Sequence, residues 1–591
     1  LGATALGVAA ALVRRATRLP RPRRGARVAH MRQTEREYRT ARTRVLILGA
    51  GFGGVTTALE LDRRLTQGVP DGGRAGDVSI LVIDRDNAQI FSPLLWLVAD
   101  GRTSPNNVVV PVRAFQRGRD FHLLQAEVER IDLERREVVT SAGSRPYDVL
   151  VIALGSITAV PDLPGLRAHA RVFHTATDAL ELRNHLIDAI ETAHRLDDPT
   201  ERQAWLTFVV GGGGDTGIEL AATIHNYLVA GLFKEYPWLA DAPPRIVIVG
   251  RAERLVPMST ARTSAAVERI LEAEGIEVLT GAAITAVGEG MVHTSRGDIP
   301  AHTLFWAAGV AAPPVVRELP VEHARNGSVL VDERLRVRGR PEVYVIGDSA
   351  WAVDPVTRAG VPPTAQAAEH QGRYVAGAIA AGLAGREALP FRFRPRGHLA
   401  LLGHGTGVAQ VGPVTFTGLP AWLLWHGYYL THIPSWRNRA RLAADLLLAW
   451  LTGRETGQLR IEPPAGGPTG EGDGAAGRAQ RGTEFAPATI GSRADANNGK
   501  EQAMTGTGGT AGRPSAGTGG QDAESGGTVP RPSGAGNDLP LSPEAAAQLE
   551  AATERVLEED QQAEMVRLTS EEVGISTDPA SDEPSRRFAG E

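Results

Sequence analysis

Two glycine clusters carry the most chemistry in this chain. One comprises Gly49, Gly51, Gly53 and Gly54, with Phe52 among them, and follows the apolar run 45–48. The other comprises Gly212, Gly214 and Gly217 and follows the apolar run 208–210. Each begins as a β-branched stretch, breaks into a G-x-G-x-x-G turn and continues with helical spacing, the strand–turn–helix setting of a dinucleotide site. Glycine lets the backbone come up against a pyrophosphate, and the helix N-terminus offers free N–H groups and a favourable dipole. Two such turns in one chain point to two dinucleotides and to electron transfer between them.

The strands that follow the two turns end differently. The apolar run 78–83 ends in Asp84, whose carboxylate can accept from an adenosine ribose 2′-OH. Its distance from Gly54 is longer than usual, which a loop insertion at 68–76 accounts for. The run 245–249 ends instead in Gly250 and Arg251. Without an acid there a ribose loses a partner and a 2′-phosphate loses a repulsive one, so Arg251 can pair with that phosphate. The alternative is a solvated loop arginine.

The elements that must hold these residues fit within 591 residues, enough for several domains. A formal charge of −5 gives no sign of a nucleic-acid partner. There is no cysteine, which removes disulfides, thiolate metal sites and a redox-active thiol pair. No metal site is expected. No uninterrupted apolar run reaches about 18 residues, so a spanning helix is not expected. Residues 1–42 read as an apolar and basic extension, with Met31 a candidate start and a signal or anchor fragment as the alternative. The expected fold class is α/β: two nested Rossmann-type domains, a C-terminal region and a disordered tail. The domain of the first turn is assigned to 43–165 and 303–385, that of the second turn to 166–302 and a C-terminal region to 386–452. From 453 the composition turns to Gly, Ala, Pro, Ser and Thr, as a disordered tail does, with one short helix expected at 542–569.

With these residues in place, the chain resembles the two-dinucleotide flavoproteins, and most closely the type II NADH dehydrogenases, non-pumping NADH:quinone oxidoreductases of the membrane surface. The likeness covers 43–452. The segment 91–96 resembles the family's F-x-P-L-L-Y stretch near the flavin ring. Residues 147–155 resemble the strand and turn where the chain leaves the flavin domain, and 304–310 the return crossing. Residues 343–350 match the second flavin signature, whose Asp348 is placed to accept from a ribityl hydroxyl. The segment 363–372 resembles the A-Q-x-A-x-Q helix start of the quinone pocket, with Gln366 kept and His370 in place of the second Gln. An imidazole there can carry a proton, which an amide cannot. Four of the nine Trp fall between Trp422 and Trp450 beside clustered Arg, which suits a helix pair in a membrane surface.

The resemblance implies FAD, held by Gly49, Gly51, Phe52, Gly53, Gly54 and Asp84 on one side. Val128, Ala153, Gly155, Ala308, Gly309, Gly347, Asp348 and Ala365 complete that set. NADH, with NADPH as the alternative donor, falls to Gly212, Gly214, Gly217, Glu219 and Arg251. Glu219, Gln366 and His370 are the implied catalytic set, and the Glu219 carboxylate can turn back toward the nicotinamide amide. Asp215 stands where the family has Pro, and its charge should oppose a pyrophosphate. A membrane quinone is the implied acceptor and a homodimer on the cytoplasmic face of the cell membrane the implied state. A sulfide:quinone oxidoreductase shares the architecture but needs thiols. A ferredoxin- or rubredoxin-type reductase and a redox-degenerate nicotinamide sensor or scaffold are the remaining alternatives.

Overall fold

The structure is a computed structural model that describes residues 37–66, 78–412 and 414–459. The readings placed on 1–36, on the 68–76 insertion and on the tail from 460, including helix 542–569, lie outside the described residues.

The chain opens with β1 (Thr43–Leu48), α1 (Phe52–Thr66), β2 (Val78–Asp84), α2 (Leu95–Ala99), β3 (His122–Gln125) and β4 (Val149–Ile152). It then crosses to β5 (Ala170–Val172), α3 (Ala176–His194), β6 (Thr207–Gly211), α4 (Asp215–Tyr227), β7 (Arg245–Val249), β8 (Glu277–Leu279) and β9 (Thr303–Trp306). After a second crossing come β10 (Arg336–Val337), β11 (Arg340–Val345) and α5 (Ala365–Leu383). Last are β12 (His398–Gly403), β13 (Thr406–Val411), β14 (Val414–Thr417), α6 (Leu419–His432) and α7 (Trp436–Thr452).

Two sheets carry the fold. The first has six strands in the order β10-β11-β4-β1-β2-β3, and the second five in the order β5-β9-β6-β7-β8. All neighbouring pairs are parallel except β10 with β11. Strands covered on both faces read as unbroken apolar runs, and Val45 to Leu48 and Phe208 to Val210 are fully buried accordingly. α1 covers one face of the first sheet, and α5 lies so close to it that a Cβ at Gly372 would stand 2.6 Å from the Gly53 carbonyl oxygen. The two crossings are clipped together by the antiparallel pairs Ile157 with Ala311 and Thr158 with Val310. The Trp306 indole adds a bond to the Ala159 carbonyl at 2.7 Å.

Two boundaries differ from the reading of the sequence. β9 pairs with β5 and β6, so residues 303–306 belong to the second sheet and the return begins after Trp306. The ordered chain also continues past 452. Arg454 donates to the Asn226 carbonyl at 2.8 Å, and Arg183 to the Glu455 carboxylate at 3.0 Å. Gln458 donates to the Asn184 carbonyl at 3.0 Å. This strap fastens the C-terminal region to α3 and α4. A shared apolar core does the same from within, joining Trp96, Leu186 and Ile218 to Leu401, Trp425 and Leu442.

Candidate dinucleotide and redox sites

The two glycine turns are built alike. Gly49 and Gly212 have φ of 97° and 134°, open to glycine and costly for other residues. A Cβ at Gly54 would collide with the Gly49 carbonyl oxygen, and one at Gly217 with that of Gly212. Gly49 N donates to Ile83 O at 2.7 Å, and Gly212 N to Val249 O at 2.8 Å. Ala153 N meets Leu48 O at 2.8 Å and Ala307 N meets Gly211 O at 2.8 Å, so the crossings that carry Gly155, Ala308 and Gly309 begin at equivalent places. At Gly51 and Gly214 a Cβ would meet nothing within 4 Å. The protein's own packing does not require glycine there, which leaves the backbone open to a ligand.

Asp84 leaves β2 and turns back to the first turn, where its Oδ2 accepts from Ala50 N at 2.6 Å. Burial pushes its carboxyl above the usual range, against the N–H groups of Ala50 and Asp86. Val128 follows Ala126, whose N–H donates to Asp84 O at 2.9 Å. Across the sheet, Gly347 (φ 64°) begins the turn that presents Asp348. Asp348 Oδ2 accepts from Ser156 Oγ at 2.7 Å, and burial raises this carboxyl too. Gly347 N donates to Gln371 Oε1 at 2.6 Å. Gln371, itself buried, was assigned no role from sequence, although it stands in the same helix start as Gln366. An open cradle at Gly51, with Asp84 beyond one strand end and Asp348 at another, fits a flavin dinucleotide.

On the second turn the structure gives Asp215 and Glu219 partners that the sequence did not show. Asp215 does not stand alone at the phosphate turn: its Oδ1 meets His398 Nε2 at 2.8 Å. Burial lowers the His398 imidazole, but the bond and charge of Asp215 outweigh it and leave it raised. That bond favours the charged form of His398 and engages the carboxylate that was expected to oppose a pyrophosphate. Glu219 is anchored by groups outside its own helix. Its Oε1 accepts from Leu401 N in β12 at 3.0 Å, and the Trp96 indole of α2 also bonds it. Burial pushes its carboxyl up to about 8, aided by Asp215 and opposed by those two donors. Phe52, Phe91 and Tyr429 form an edge-to-face row with centroid spacings of 5.5 and 6.2 Å, from the first glycine turn to α6.

Gln366 and His370 lie one turn apart on α5, which starts where Thr364 Oγ1 accepts from Ala367 N at 3.2 Å. Ala365 is its first residue. Gln366 Oε1 accepts from Arg396 N at 3.3 Å, and the His370 ring packs edge-on against Phe393 at 5.6 Å. Burial, then the charges of Arg396 and Arg373, hold His370 below its ordinary range, so the imidazole is neutral at pH 7. No hydrogen bond joins either residue to Glu219 among the described residues. Arg251 is exposed and has no hydrogen-bond or ion-pair partner among them.

Comparison with known proteins agrees with this geometry. Residues 43–372 match the pyridine nucleotide-disulphide oxidoreductase family and residues 396–455 the NDH2 C-terminal domain. The type II NADH:quinone oxidoreductase Ndh of Mycobacterium tuberculosis is 32% identical over 437 residues, covering 71% of this chain and 90% of that protein. The chain belongs to the type II NADH:quinone oxidoreductases. The demethylphylloquinone reductase NdbB of Synechocystis is 30% identical, with 72% of this chain and 99% of that one covered. NDH2 of Plasmodium falciparum shares the fold at a TM-score of 0.62 and 21% identity, covering 70% of this chain and 99% of that one. The C-terminal match of the type II family runs to residue 455, into the strap and beyond the end read from sequence.

Proposed function

We propose that this chain oxidises a reduced nicotinamide and passes two electrons to a membrane quinone, without pumping protons. One observation carries the reading: two equivalent strand–turn–helix cradles in a single chain, each open at its second glycine. FAD, when bound, would supply the hydride-accepting and two-electron-donating chemistry that links the two substrates. Gly49, Gly51 and Gly54 bring the backbone to its pyrophosphate, Asp84 lies beyond the adenosine end and Asp348 orients the ribityl chain. Gly212, Gly214 and Gly217 seat the donor. Glu219 keeps a proton on its carboxyl at neutral pH and so can give one up when charge builds beside it. Gln366 and the neutral His370 serve as hydrogen-bonding groups toward the quinone. The working unit is taken as a homodimer on the cytoplasmic face of the membrane, from family likeness.

A steady-state assay of donors against acceptors tests the reading. The purified protein is expected to be yellow, to bleach on adding a reduced nicotinamide and to recover colour with menaquinone or ubiquinone analogues. Colourless protein that takes up no FAD overturns it. Reoxidation by a small iron–sulfur protein and by no quinone assigns the chain to carrier reduction instead.

A further inference from the structure

The chain carries the strand–turn–helix twice, so each position in one turn has a counterpart in the other. Leu48 pairs with Ile83 where β1 meets β2, and Gly211 pairs with Val249 where β6 meets β7. Gly49 and Gly212 then donate to Ile83 and Val249 respectively. Gly250 is therefore the counterpart of Asp84. A carboxylate at 250 would stand beside Gly213 as Asp84 stands beside Ala50, and none is there.

The next residue supplies the opposite charge. Arg251 is exposed and, among the described residues, makes no hydrogen bond or ion pair. Its loop is fastened to the glycine turn, because Val256 N donates to Gly213 O at 2.7 Å. Val256 adopts φ 40° to do so, a conformation a β-branched residue takes only under constraint. The other arginine of the loop is committed, with Arg254 donating to Pro257 O at 2.7 Å, Ser259 O at 2.9 Å and Ser264 Oγ at 3.0 Å. Two acids of the surrounding segments are placed elsewhere. Glu253 lies against Gly281, and Asp215 is paired with His398.

We propose that the donor of this chain is NADPH, with Arg251 reading the 2′-phosphate and Gly250 leaving room for it. The proposal rests on assigning the second turn to the nicotinamide donor. A guanidinium matches a phosphate with parallel N–H donors, and no carboxylate at 250 repels the anion. Gly250 can also be changed without strain, since a Cβ there would meet only Gly213 atoms at 3.4 Å, an ordinary contact.

The test is calorimetric binding of 5′-ADP and 2′,5′-ADP to the full-length, FAD-loaded protein, alongside kcat/KM for NADH and NADPH. The expected result is 2′,5′-ADP bound about tenfold tighter, the scale of one charge-assisted contact. Arg251→Ala is expected to remove that advantage, lowering 2′,5′-ADP affinity and kcat/KM for NADPH about tenfold. Gly250→Glu is expected to reverse the preference. Equal affinity for the two ligands, or an advantage that survives Arg251→Ala, overturns the proposal alone. Binding of neither ligand overturns the donor-site reading and the proposal with it.

Discussion

Glu219 binds a proton in the folded protein that it would release when unfolded. Burial moves its carboxyl from 4.5 to about 8. Between those values the folded state holds more protons than the unfolded chain, so its contribution to stability is full below 4.5 and is lost as pH rises through 8. Glu219→Gln keeps a neutral side chain at that place and removes the titration. Melting temperature plotted against pH for the two FAD-loaded proteins should therefore diverge, the wild type falling relative to the variant as pH rises. Parallel curves would show that Glu219 is not held protonated. The glycines and the acid of the first turn were legible in the sequence because their meaning is local. The partners of Asp215 and Glu219 were not, since His398 and Leu401 lie 183 and 182 residues further along the chain. Gln371 sat inside a recognised segment, yet its task, accepting from Gly347 N, exists only once α5 packs against the end of β11.

Elements bounded by an apolar run and a glycine turn were read correctly, because strand, turn and helix N-terminus each leave a mark in composition. The sequence was read as leaving the ordered body at 452, whereas residues 453–459 are held against it. Gly453 and Gly457 look like the start of a linker, whereas what holds this stretch is hydrogen bonding to helices that precede it by over two hundred residues. Arg454 donates to the Asn226 carbonyl at 2.8 Å and its side-chain oxygen at 3.1 Å. It also lies 3.7 Å from buried Asp100, which Arg102 meets at 2.9 Å. A chain ended at 452 should thus be less stable than one ended at 459 by about 1–3 kcal/mol, the cost of leaving buried polar groups without their partners. Urea unfolding of the two truncated flavoproteins measures the difference. Equal midpoints would mean that the strap adds nothing to the docking of α3 and α4.

At the scale of the whole molecule, α6 and α7 are inverted relative to an ordinary surface helix pair. Their inner side holds polar anchors as well as Trp425 and Leu442: Asn438 donates to Val109 O at 3.1 Å, and Asp445 accepts from Thr103 at 2.8 Å and Asn107 at 2.7 Å. The outward side carries Leu419, Leu423, Leu447, Leu448 and Leu451, with Trp436 and Trp450 exposed to 66% and 73%. No helix among the described residues is long and apolar enough to cross a membrane. Apolar side chains with interfacial tryptophans, fastened from beneath, suit a pair of helices lying in the headgroup region. Leu447→Glu with Leu451→Glu should lower the fraction bound to anionic vesicles about tenfold, since each exchange replaces buried acyl contact with a charge. Flavin bleaching by the nicotinamide should be untouched in solution, because neither position is near a glycine turn in sequence or sheet. Turnover with a long-chain quinone embedded in the vesicles should fall, while a short-chain soluble analogue should be spared. Undiminished vesicle binding, or an equal loss with both quinones, would remove this face from the membrane and leave a second copy of the chain as its cover, which a change in oligomeric state on substitution would reveal.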